Sequence, residues 1–177
     1  MKLELVPIED FEKRKAAQLR GLRKRDIDRQ FGTLIVDSNA LPFFYTIESC
    51  YGKFGDYHYF KPGAERNDRY SIGFLSFGLD YTEEAQRFLE EVKEIKNRNL
   101  FHCLLIDDAL GYYSEGLPKR FRTNEFCFGV VSLDEERVRN IQIDVAVFRT
   151  VEDARKFEPI RDRIWDEWRE LVERFKR

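Results

Sequence analysis

Apolar residues recur at helical spacing in three stretches of the chain. Phe11, Leu19 and Leu22, with Ala16 between them, make a thin stripe from about Ile8 toward Lys24. Pro7 suits the first turn there, and Glu9, Asp10 and Glu12 suit the positive end of the helix dipole. Ala85, Phe88, Leu89, Val92 and Ile95 form the clearest amphipathic pattern, starting near Asp80 and Glu83 and running to about Asn97. Phe157, Ile160, Ile164, Trp165, Trp168, Leu171, Val172 and Phe175 mark a terminal helix, whose two Trp side chains are expected to anchor it on the rest of the fold. Thr150 to Asp153 resembles a capping box, and Pro159 is expected to interrupt or restart the helix.

Elsewhere the pattern is that of strands. Phe43 to Glu48 is aromatic and β-prone, Tyr70 to Leu79 mixes Ile72, Phe74 and Phe77 with glycines, and Leu100 to Ile106 is a short apolar run. Glu125 to Ser132 and Asn140 to Phe148 alternate, and the stretch between them is too long for a tight hairpin and is expected to hold a helical turn. Phe31 to Val36 reads as a strand or a short buried helical piece, with turn chemistry at Asp37, Ser38 and Asn39; Asp56 to Phe60 can close a hairpin after Gly52 to Gly55. Strand, helix and strand over residues 70–106 favour a crossover unit. The predicted fold is one α+β domain over residues 1–177: a mixed, mainly antiparallel sheet of about six or seven strands, with the N-terminal, middle and C-terminal helices packed on it.

Charge changes this picture in one place. Lys and Arg total 31 against 33 acids, a net charge of −2, so no general attraction to nucleic acid or anionic lipid exists. The block from Lys13 to Arg25 nevertheless holds seven basic residues and no acid. Lys13, Arg14, Lys15, Arg20, Arg23, Lys24 and Arg25 form either a solvated helix face or a surface that tracks phosphates. Three widely spaced cysteines make no disulfide framework and fit a reducing cytosol; no apolar run approaches the roughly 20 residues of a membrane span, and no signal-peptide core opens the chain. The reading is a cytoplasmic protein with no membrane contact.

Chemistry concentrates after the Phe43 strand, where Ser49, Cys50, Gly52, Lys53 and Gly55 are read as a polar loop. Cys50 beside Lys53 is either a nucleophile of lowered pKa or a small packed side chain. His58 and His102 match no zinc spacing with the cysteines, so no metal is assigned. Asp107 and Asp108 at a strand end are read as an acidic turn rather than a cation site. No Rossmann, P-loop, zincin or nucleophile-elbow motif occurs.

Residues 10–54 resemble the N-terminal half of the wybutosine-synthesising tRNA methyltransferase family. A basic helix opening Asp-Phe-Glu-Lys-Arg-Lys-Ala-Ala and an apolar segment lead to an aromatic strand that ends Thr46-x-x-Ser49-Cys50-x-Gly52-Lys53, against the family's Thr-Thr-Ser-Ser-Cys-Ser-Gly-Arg. Ile47, Glu48 and Tyr51 stand where the family has Thr and two Ser. The resemblance implies action on a modified guanosine of tRNA with S-adenosylmethionine. Ser49, Cys50 and Lys53 would then line the reaction pocket, Thr46 and Gly52 would meet the cofactor, and the basic helix would hold tRNA, with no covalent role for Cys50. Two other classes stand beside this one: a non-enzymatic interaction or self-associating module, and a Cys50-dependent enzyme acting on a small molecule.

Overall fold

A computed structural model describes residues 3–22, 27–52, 73–107, 124–130 and 151–177. Helix α1 is Phe11–Leu22, α2 is Gly32–Ala40, α3 is Glu83–Arg98 and α4 is Val151–Phe175. The strands are β1 Phe44–Cys50, β2 Gly73–Leu79, β3 Cys103–Asp107 and β4 Glu125–Val130, in the spatial order β1-β2-β4-β3. Every pairing between them is antiparallel.

The α+β class holds, but the expectation of six or seven strands does not: the sheet of the described residues has four. Phe31–Val36 supplies no strand because its apolar residues open α2, which runs on through Asp37, Ser38 and Asn39. Those polar residues stay helical because each is used, Asp37 accepting from Lys176 Nζ at 2.6 Å. Ser38 is fully buried and its Oγ accepts from Trp168 Nε1 at 3.3 Å, and Asn39 Nδ2 donates back to the Ile35 carbonyl at 2.7 Å. The expected strands at Asp56–Phe60 and Asn140–Phe148, and the helical turn between Leu133 and Asn140, lie outside the described residues. The crossover expected of β2, α3 and β3 is split, since β4 sits between the two strands.

The middle helix follows from its sequence. Thr82, not Asp80, is the N-cap, its hydroxyl accepting from the Ala85 amide at 3.1 Å; Glu83 and Glu84 fill the first turn and Lys96 and Arg98 the last. Its buried stripe is Ala85, Phe88, Leu89, Val92 and Ile95. Helix α4 carries Pro159 inside 25 continuous residues, so the expected interruption is absent. Pro159 and Arg155, whose carbonyl loses a helical partner, are both exposed, and solvent can take up the lost bond. Helix α1 begins at Phe11, later than the expected Ile8.

The two sides of the sheet are unlike. Phe44, Phe77, Phe126 and Phe128 face α2, α3 and α4 and join the main core, where Trp168 sits 5.1 Å from Phe128 and 5.4 Å from Phe77, ring centroid to centroid. On the other side Phe11 of α1, Tyr45 and Ile47 form a separate small cluster. A bulge between Thr46 and Glu48 leaves Ile47 as the extra residue of β1. Among the described residues no helix is long and apolar enough to cross a membrane.

Candidate functional site

The segment Thr46 to Gly52 is mostly strand. Ser49 pairs with Leu75 and Cys50 with Phe74, so the residues expected in a loop belong to β1, and the chain leaves the sheet only at Tyr51 and Gly52. β2 extends as far as Gly73 and gives them partners, which is why the strand outlasts its aromatic run. Ser49 and Cys50 are half-buried there, which removes the loop setting on which a reactive Cys50 was argued. Lys53 lies outside the described residues.

Thr46 has another employment. Fully buried, it donates its amide to Asn39 Oδ1 and accepts Asn39 Nδ2 at its hydroxyl, both at 2.9 Å. The pair ties the end of α2 to the middle of β1, so Thr46 is a strut between two elements rather than a side chain open to a cofactor.

The exit at Tyr51–Gly52 is the best-organised polar cluster near these residues. The Tyr51 amide donates to Asp28 Oδ2 at 3.1 Å, its carbonyl accepts from Trp165 Nε1 at 3.2 Å, and its hydroxyl donates to Asp162 Oδ1 at 2.8 Å. Arg161 lies over the Tyr51 ring, 4.6 Å from its centroid, and donates from Nη1 to the Gly52 carbonyl. Gly52 has φ 87°, a left-handed conformation that glycine adopts without strain. Gly73 on β2 lets the backbones approach: a Cβ there would lie 2.7 Å from the Tyr51 carbonyl oxygen. Burial, then the bond to Asp162, pushes the Tyr51 phenol above its ordinary pKa.

The basic block divides. Arg14 Nε pairs with Asp10 Oδ1 at 2.7 Å, and Lys15 Nζ donates to the carbonyls of Leu41 at 2.6 Å and Pro42 at 2.9 Å, holding the turn into β1. Burial draws the Lys15 ammonium below its usual pKa. Lys13 and Arg20 are exposed, and Arg23, Lys24 and Arg25 lie outside the described residues. Two of the basic residues therefore serve the fold first.

Sequence reasoning missed a buried pair on the α1 side of the sheet. Tyr45 crosses over Gly78 of β2, directly opposite it, and donates its hydroxyl to Glu125 Oε1 of β4 at 2.9 Å. A Cβ on Gly78 would fall 2.1 Å from the Tyr45 ring, so the crossing requires glycine. The contact joins residues 80 apart, and the one local signal is the Gly73 and Gly78 content of β2. Cys103 is fully buried and burial pushes its thiol up, while burial and then Arg163 push His102 down. His58 and Asp108 lie outside the described residues, and Asp107 ends β3. Among the described residues no three His, Cys, Asp or Glu side chains are grouped to hold a metal. A cleft of about 660 Å³ at the start of α3, lined by Glu4, Leu5, Tyr81, Thr82, Glu83, Gln86 and Glu90, shares no residue with the exit cluster.

No family model matches this chain, and no curated protein does. A solved structure, that of the PH1069 protein from Pyrococcus horikoshii, is similar over 94% of this chain and 92% of its own, at 15% identity and a TM-score of 0.44.

Proposed function

We propose that the protein modifies RNA, acting on tRNA with S-adenosylmethionine in the manner of the wybutosine-synthesising methyltransferases that residues 10–54 resemble. The observation that carries this reading is the outward face of α1. From Lys13 to Leu22 the helix has no acid, and Lys13 and Arg20 project into solvent with only Ala16 and Ala17 exposed between them. Glu12 in the first turn is exposed too, so the positive face begins at Lys13, and from there a phosphate backbone can meet Lys13 and Arg20. Helix α1 packs on β1, the strand that carries Ser49 and Cys50 toward the exit. S-adenosylmethionine would supply the methyl group, and the part of the chain would be to hold donor and base in line. Positioning does most of that work.

A second reading, a binding module without the activity, draws support from Thr46, which matches the family's loop yet is fully buried against Asn39. Calorimetry separates the two. The methyltransferase reading expects heat on titrating S-adenosylmethionine and salt-sensitive binding of tRNA. Salt-sensitive tRNA binding with no heat or thermal shift at millimolar cofactor would leave the module alone standing.

A further inference from the structure

We infer that Arg161 and Trp165, one turn apart on α4, are positioning residues of the candidate site that fix the direction in which the chain leaves β1; what the site binds rests on the reading above. Arg161 occupies a place in the apolar stripe of α4, between Phe157 and Ile164, and is 6% exposed. The helical pattern calls for an apolar side chain there, and an apolar residue would fill the space without the desolvation that a guanidinium suffers. What the guanidinium does that leucine cannot is hold the exit. Nε and Nη2 both reach Asp162 Oδ1, at 2.9 and 2.8 Å, while Nη1 takes the Gly52 carbonyl and the planar face lies on Tyr51. Trp165 holds the preceding carbonyl, and Asp28 the amide of the same residue. Tyr51 and Gly52 are thus held at amide, carbonyl, ring and hydroxyl by groups from outside β1. The half-buried Ser49 and Cys50 lie immediately before this clamp in the chain.

A lysine at 161 keeps the charge but loses the fork and the stacking plane, so Arg161→Lys tests geometry rather than charge. The full chain and this variant are titrated with S-adenosylmethionine and with tRNA, beside Trp168→Phe as a stability control in the core. Because a displacement of about 1 Å can cost on the order of a hundredfold, Arg161→Lys is expected to weaken at least one ligand about tenfold or more. Trp168→Phe is expected to lower Tm at least as far and leave both affinities within twofold. The indole N–H signal of Trp165, assigned from Trp165→Phe, is expected to move when ligand binds the wild type and that of Trp168 to stay. Wild-type protein that binds neither ligand overturns both the function and this inference. Binding that leaves the Trp165 signal still, an Arg161→Lys affinity within twofold of wild type, or an equal loss in Trp168→Phe, overturns the inference alone.

Discussion

On one side of the sheet Trp168 is ringed by Phe44, Phe77, Phe88 and Phe128; on the other, Tyr45 reaches across Gly78 to Glu125 beneath α1. The first arrangement depends on filled volume, and aromatic contacts from 5.1 to 6.5 Å accept several ring orientations. The second depends on one hydroxyl, one carboxylate and the absence of a single Cβ. Apolar packing of the first kind supplies most of the stability, whereas the second fixes how α1, with its basic outer face, is seated. A test of the contrast should therefore find large, graded losses on the helical side and sharp, coupled losses on the other.

The largest effect is expected from Trp168→Ala. The side chain is fully buried between α4 and the sheet, and truncation costs about 3–5 kcal/mol through lost transfer energy and a cavity. Urea unfolding measures it; a loss under about 1 kcal/mol would mean that the helical side is not the principal core.

Next comes Gly78→Ala. The new methyl would lie 2.1 to 2.5 Å from Tyr45 ring atoms, and the overpacking is expected to cost about 1–3 kcal/mol. The same change in a Tyr45→Ala background should cost far less, because the ring it strikes is gone. A double-mutant cycle reads this coupling, and additive losses would show that Tyr45 does not cross Gly78 in solution.

How much of this the sequence discloses depends on the range of the interaction. Helix α3 is legible because its buried residues, its Thr82 cap and its end charges all lie within one stretch. The Phe31–Val36 run is not, since six apolar-rich residues read equally as strand or helix; the choice is made by Trp168 reaching Ser38 and by Asn39 reaching Thr46. Ser49 and Cys50 look like loop residues until β2 supplies their partners. Pro159 looks like a break until its turn proves exposed. The candidate site is the extreme case. Its position along β1 is legible, but Arg161, Asp162 and Trp165 come from more than 100 residues away and enter the pattern only as members of an amphipathic helix.

Tyr45→Phe sharpens the polar side by removing one oxygen. About 1 kcal/mol is expected to be lost near neutral pH through the bond to Glu125. Burial first, and Glu125 second, raise the phenol above its ordinary pKa of 10.0. Below pH 10 both folded and unfolded states hold it neutral; above, the unfolded phenol ionises and the folded one resists, so wild-type stability falls as pH rises through that window. The phenylalanine variant lacks this contribution. Its unfolding free energy should therefore decline less steeply above about pH 10 than that of the wild type, and parallel curves would rule out Tyr45 as a buried phenol.

The smallest expected stability effects separate the two faces of α1 itself. Lys15→Met removes two hydrogen bonds that hold the Leu41 and Pro42 carbonyls and should cost about 0.5–1 kcal/mol, the lower end because Pro42 is exposed and water can replace the ammonium there. Lys13→Met, on an exposed position, should stay within about 0.5 kcal/mol of wild type. Binding to tRNA should rank them in the opposite order. If the proposed RNA contact holds, Lys13→Met is expected to lower the slope of log K against log salt by about one, and Lys15→Met, whose ammonium is turned toward the fold, to leave it unchanged. If the Lys15 variant instead reduced the slope as much as the Lys13 variant, the division of α1 into a seated face and an RNA face would fail, because a side chain engaged with two backbone carbonyls would also have to be reaching phosphate.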